Sequence, residues 1–110
     1  MSESGKDVIL AIDQGTTGSK TLLLDSNLAV LAESSREFPQ HFPEPGQVEH
    51  DLDEIFQSVR DSVTAALETA GIEASSIAAV GITNQRETTA IWRAEDGRPI
   101  HRAIVWQDRR

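Results

Sequence analysis

The sequence predicts an α/β fold whose mixed sheet is laid down in the order βββαβ, with one long amphipathic helix. Three observations carry that expectation. The apolar runs at 8–12 (V-I-L-A-I) and 77–82 (I-A-A-V-G-I) are continuous, as buried strands are. Between them lies one segment of helical periodicity, with cap residues Asp51 and Gly71 at its two ends. Short polar breaks separate the first apolar stretches, too short for a crossover, so neighbouring strands there pair antiparallel.

Taken in order, the first strand ends in Asp13 and leads into D-Q-G-T-T-G-S-K-T, residues 13–21. A second strand covers 21–25, Asp25-Ser26-Asn27 supplies turn chemistry, and a third strand covers 28–33. Residues 38–47 (F-P-Q-H-F-P-E-P-G-Q) are too rich in proline for a regular element. Asp51 and Glu54 resemble a capping box, and Asp53 adds a second acid to the first helical turn. Leu52, Ile55, Phe56, Val59, Val63, Ala66, Leu67 and Ala70 then recur as one face of a helix, and Gly71 stands where a C-terminal cap belongs. A helix of about 20 residues is roughly 30 Å long, enough to cross a sheet. The strand at 77–82 follows the helix and is expected to run parallel to an earlier one. Further strands are expected at 88–92 and 103–106, with a turn at Asp96-Gly97.

Composition excludes several functions. The net charge is −8 and the basic residues are scattered, apart from Arg109-Arg110, so a nucleic-acid backbone or an anionic membrane is a poor partner. Without cysteine, disulfides, thiolate catalysis and Cys-based zinc sites are excluded. Residues 1–7 are polar and read as a disordered tail, and the run at 8–12 is too short to span a bilayer, so no membrane insertion is expected. The cytoplasm is the default location. The apolar stretch at 104–106 lies so near Arg110 that the chain reads as one piece of a larger protein, incomplete at its C-terminus. Such a piece exposes apolar edges, which makes marginal stability or self-association the expectation for it alone.

The 13–21 loop is the first candidate site. It is not a P-loop of the form G-x-x-x-x-G-K-[ST]: Lys20 comes one position too early after Gly15, and Ser19 stands where a Gly belongs. It also joins strand to strand rather than strand to helix. A hairpin can still hold phosphate through backbone N–H groups freed by Gly15 and Gly18 and through the hydroxyls of Thr16, Thr17 and Ser19. Asp13 suits a Mg²⁺ ion held through water. A plain turn rich in Asp and Gly is the other reading of the same residues.

Asn84-Gln85-Arg86-Glu87 follows the second apolar run directly, at a strand end, where ligands of open α/β sheets bind. Arg86 offers a planar donor fork and Glu87 two acceptor oxygens, a set that adjacent hydroxyls of a small polyol satisfy. A solvated surface pair is the alternative. Trp106 could lay its face on the C–H side of such a molecule, or could equally be a core side chain. Trp92 lies off these motifs and reads as structural. His41, His50 and His101 lack metal-ligand spacing and read as non-catalytic.

The D-Q-G-T-T hairpin within a βββαβ order resembles the first phosphate loop of the actin-like, ribonuclease H-like ATPases. P-G-Q-V-E-H-D at 45–51, G-I-T-N-Q-R-E-T-T at 81–89 and I-V-W-Q-D-R-R at 104–110 narrow this to a resemblance to the glycerol kinases of the FGGY carbohydrate kinase family, over residues 8–110. The resemblance implies a ribonuclease H-like domain, the N-terminal portion of the first domain of such a kinase. It implies glycerol and ATP as substrates, Mg²⁺ as the metal, and a homo-oligomer for the full-length protein. By it, Arg86, Glu87 and Trp106, with Thr16, bind glycerol; Asp13 is the metal-associated acid; and Thr16, Thr17, Gly18 and Lys20 line the ATP phosphates. It places the catalytic Asp and the adenosine pocket downstream of residue 110, so the isolated chain is expected to be inactive. Glycerol kinases usually carry Ser at position 18 and Arg at 20, with Trp common at 47 and Pro at 52, where this chain has Gly18, Lys20, Gln47 and Leu52. Another FGGY polyol or sugar kinase, an actin- or chaperone-like ATPase module, and a non-catalytic fragment are the competing readings.

Overall fold

The computed structural model describes residues 7–110, so the tail expected over 1–7 lies, but for Asp7, outside the described residues. Strands β1 (Val8–Gln14), β2 (Gly18–Leu24) and β3 (Val30–Glu37) form an antiparallel meander. Helix α1 (Leu52–Ala70) follows, and β5 (Ile77–Asn84) returns parallel to β1, giving the sheet order β3-β2-β1-β5. The βββαβ reading therefore holds for this sheet. A second, antiparallel sheet of order β4-β7-β6 is built from β4 (Glu49–His50), β6 (Thr89–Trp92) and β7 (Pro99–Ile104).

Several boundaries differ from expectation for identifiable reasons. The third strand starts at Val30 rather than Leu28. The Asp25 carboxylate accepts from the N–H groups of Asn27 and Ala29, and Leu28 is held at φ 64°, so the turn extends to Ala29. The two-residue strand β4 was not expected, and pairing with β7 creates it at the end of the proline-rich connection. Strand β7 begins at Pro99, and Trp106 lies in a turn beyond it rather than at a strand end.

Helix α1 is capped as its sequence requires. The Asp51 carboxylate accepts from the N–H groups of Asp53 and Glu54, and Gly71 takes the left-handed conformation at φ 67°. The capping box is only half formed, because Glu54 turns to His41 Nε2, 2.7 Å away. The face that α1 buries is narrower and more polar than the apolar periodicity suggested. Its fully covered residues are Ser58, Ser62 and Ala66, one stripe at four-residue spacing, whereas Phe56 is 61% exposed under Arg60. Each serine donates to the carbonyl three residues back, Ile55 or Val59, so its oxygen accepts from a strand hydroxyl. Ser19 donates to Ser58 at 2.8 Å and Thr21 to Ser62 at 2.7 Å. These small, paired side chains seat the helix over β2 and β3, and Val59, Val63 and Leu67 flank the seam against Leu10, Ile12 and Leu23.

Because α1 lies over β2 and β3, its side of β5 is uncovered. Val80 and Ile82 sit in register with buried Leu10 and Ile12, yet they are exposed. This is the open apolar edge expected of a partial domain.

Candidate functional site

The hairpin between β1 and β2 is tighter than the sequence suggested. Asp13 and Gln14 belong to β1, Gly18, Ser19 and Lys20 to β2, and Gly15, Thr16 and Thr17 alone form the loop. Gly15 N–H donates to the Gly18 carbonyl at 2.9 Å and closes the hairpin, so it is not turned outward toward an anion. Gly18 serves strand packing: a Cβ there would sit 2.6 Å from the Arg36 carbonyl oxygen on β3. Ser19 is buried on Ser58 and presents no hydroxyl to the loop face. Thr16 and Thr17 carry the loop's surface chemistry, and their N–H groups have no backbone partner among the described residues.

On the face of the sheet opposite α1, Asp13 is in register with Lys20 on one side and Thr83 on the other. Asp13, Thr17, Gly18 and Lys20 line an open cavity of about 280 Å³ together with Ser35 and Arg36. Lys20 Nζ lies 3.2 Å from Glu33, and both side chains are about half exposed. Asp13 is exposed, and no group of three or more acidic or histidine side chains gathers around a metal position among the described residues.

The other side of the hairpin faces a second cavity, of about 470 Å³. Its lining is Thr16, Asn84, Gln85, Arg86, Glu87 and Trp106, which brings together every residue expected to bind an acceptor. Arg86 and Glu87 occupy the turn between β5 and β6, where Glu87 adopts φ 55°. A non-glycine residue in the left-handed region is a strained feature typical of sites. Among the described residues no ion pair engages Arg86 or Glu87. A guanidinium and a carboxylate are thus left open at one cavity wall. Trp106, 53% exposed, lines the same cavity and donates from Nε1 to Thr16 Oγ1 at 3.3 Å. Among the described residues it is exposed rather than packed in a core. Trp92 is exposed as well.

Behind the cavity lies a polar network that sequence reasoning did not find. His50 is fully buried, edge-on to Phe38, with Gln40 on one ring nitrogen and Gln85 on the other. Only the position of Gln85, just ahead of Arg86, could have marked it. Burial and the nearby His41 lower the His50 pKa from 6.5. A histidine kept neutral when folded takes up fewer protons than the unfolded chain in mild acid, so stability is full above that value and falls as the pH drops below it. Chemical denaturation at pH 7.5 and pH 5.5 should give the lower midpoint at pH 5.5, and His50→Gln should reduce the difference.

The motif at 104–110 is tied to that at 45–51. Val105 N–H donates to the Val48 carbonyl, and the Asp108 carboxylate accepts from Val48 N–H at 2.8 Å. Arg110 donates to Asp108, holding that carboxyl far below the usual carboxylate range, and reaches buried Glu49 at 2.7 Å. These charges lock the turn that presents Trp106.

Comparison with known proteins matches this architecture. Residues 8–110 match the model of the FGGY family of carbohydrate kinases, N-terminal domain. The glycerol kinase of Brucella ovis is 57% identical over 102 residues, covering 93% of this chain and 20% of that protein. The crystal structure of Plasmodium falciparum glycerol kinase with ADP superposes with a TM-score of 0.81 at 34% identity, over 94% of this chain and 21% of that one. A ligand-bound xylulose kinase from Lactobacillus acidophilus also gives 0.81, at 28% identity, over 92% and 20%. The chain spans about a fifth of the length of the curated relatives it matches. Its mixed sheet and helix α1 are a portion of the actin-like ATPase fold of these kinases, and the chain belongs to the FGGY family of carbohydrate kinases, as part of their N-terminal domain.

Proposed function

We propose that the chain is the N-terminal portion of an ATP-dependent glycerol kinase, transferring the γ-phosphoryl group of ATP to a glycerol hydroxyl to give glycerol 3-phosphate. The observation that carries this reading is the cavity in which Thr16, Arg86, Glu87 and Trp106 meet, directly beside the Gly15–Thr17 hairpin. The identity to glycerol kinases supports it.

In this reading Arg86 donates to, and Glu87 accepts from, neighbouring glycerol hydroxyls, while the Trp106 ring covers the C–H edge. A pocket of this kind rejects molecules that leave the pair unsatisfied. The hairpin separates acceptor from nucleotide: Thr16 faces the acceptor cavity, and Thr17, Gly18 and Lys20 line the cavity assigned to the ATP phosphates. Thr17 supplies N–H and hydroxyl donors there, and Thr16, expected on the phosphates as well, lies on the acceptor side of the same loop. Lys20 supplies a point charge in place of a planar fork, and must leave Glu33 to reach a phosphate. The residues fit Mg²⁺: Asp13 is an exposed carboxylate at the hairpin, on a cavity that the exposed Glu37 also lines, which suits an ion that keeps most of its water and takes phosphate oxygens. Bound there, the ion would neutralise charge on the phosphates during transfer. A cytoplasmic location and a homo-oligomeric whole protein belong to the same reading. Among the described residues no helix is long and apolar enough to cross a membrane.

The backbone alone does not choose the acceptor, because glycerol and xylulose kinases superpose equally well. The test is an acceptor panel on the full-length protein with ATP and Mg²⁺. Glycerol should give the highest kcat/KM, above erythritol and xylulose, and preference for xylulose would replace glycerol by a ketose.

A further inference from the structure

The two sides of the hairpin share a hydrogen-bonded relay that passes through the protein interior. Gln40 Nε2 donates to the Thr16 carbonyl at 3.0 Å, which leaves its Oε1 to accept from His50 Nε2 at 2.6 Å. His50 therefore carries its proton on Nε2, and Nδ1 accepts from Gln85 Nε2 at 3.3 Å. The same Gln85 nitrogen also faces Gln14 Oε1 at 3.3 Å and the Gly15 carbonyl at 3.4 Å, while its Oε1 accepts from Thr88 at 2.8 Å. The chain of groups thus starts on one loop carbonyl, Thr16, and ends on the adjacent one, Gly15. Each link has one allowed polarity, because a carbonyl only accepts and a neutral imidazole donates from one nitrogen.

Two features separate this network from simple core filling. Gln85 has two amide hydrogens for three acceptors, all at long distance, so it can tighten on one partner only by loosening on another. It also immediately precedes Arg86, so any shift of Gln85 moves the acceptor-binding turn. Resting on the kinase reading above, we propose that Gln40, His50 and Gln85 are positioning residues that couple the phosphate-facing hairpin to the Arg86–Glu87 turn, so that occupancy of one site sets the geometry of the other. None of the three needs to touch a reacting atom.

The test uses the full-length protein. Gln85→Leu should raise KM for both glycerol and ATP by about tenfold, the scale expected when held groups lose alignment, with a smaller change in kcat. Gln40→Leu should do the same, and the double variant should add little to either. If instead kcat falls in proportion to the folded fraction while both KM values stay put, the network is structural only and the proposal is overturned. A measurement on the unsubstituted protein stands independently of any folding loss. With ¹⁵N-labelled histidine, the His50 signal, assigned through its contact with Phe38, should show Nε2 protonated and Nδ1 bare. A proton on Nδ1 would reverse the relay's polarity and overturn it. Should the full-length protein phosphorylate no acceptor at all, the kinase reading falls, and the relay is judged on the histidine spectrum and on ATP affinity in Gln85→Leu.

Discussion

Replacing Arg86 by alanine in the full-length protein is expected to lower kcat/KM for glycerol by about 10²- to 10³-fold, with the melting temperature unchanged. The size follows from losing charge-assisted hydrogen bonds to the acceptor, each on the order of 1.5–3 kcal/mol. The unchanged stability follows from position: Arg86 is exposed in a turn, and no ion pair holds it among the described residues. Arg86→Lys keeps the charge but loses the planar fork, so it should recover only part of the activity. Glu87→Gln, nearly isosteric at the strained φ, should behave like Arg86→Ala toward glycerol. Steady-state kinetics with thermal melts on the same samples read both effects. A kcat/KM within twofold of the unsubstituted protein for Arg86→Ala would remove this pair from the acceptor site.

The largest stability loss is expected at the helix–sheet seam. Ser62→Leu forces a branched side chain into a fully buried position over β2 and leaves the Thr21 hydroxyl without its acceptor. Overpacking costs about 1–3 kcal/mol and an unpaired buried hydroxyl about 1–3 kcal/mol more, so a loss on the order of 4 kcal/mol is predicted. Ser62→Ala removes the acceptor without overpacking and should cost only about 1–2 kcal/mol. Denaturant titration of both variants separates the two contributions. If Ser62→Leu were as stable as the original, α1 would not be seated on this stripe.

These two sites also show where sequence reading works and where it stops. Local chemistry carried the strands, the Asp51 and Gly71 caps and the meander, because each depends on neighbours in the chain. Apolar periodicity rightly placed Val59, Val63, Ala66 and Leu67 against the core, but it included the exposed Phe56 and missed Ser58 and Ser62, whose smallness and opposing hydroxyls seat the helix closely. Those partners are some forty residues away in the chain. Ser19 was assigned to the loop because strand ends inside a Gly- and Ser-rich stretch carry no apolar alternation, and burial of its hydroxyl turned it to the opposite face.

At the candidate site, the types of Arg86, Glu87 and Trp106 marked them as candidates beside a solvated pair and a core tryptophan, the resemblance gave them their expected role, and the structure adds that they line one cavity. Gln40, His50 and Gln85 were not legible, since an amide and a neutral imidazole acquire meaning only from the partner that fixes their polarity. Gly18 was legible as a glycine but not for its reason. It admits the β3 backbone at Arg36, a contact no local pattern encodes.

Product analysis with ATP, Mg²⁺ and glycerol, comparing the full-length protein with the 110-residue chain, tests the kinase reading. Stoichiometric glycerol 3-phosphate and ADP are expected from the full-length protein, and none from the chain alone. Hydrolysis of ATP at a rate indifferent to glycerol, with no phosphorylated glycerol formed, would contradict it and assign the hairpin to an ATPase without a small-molecule acceptor.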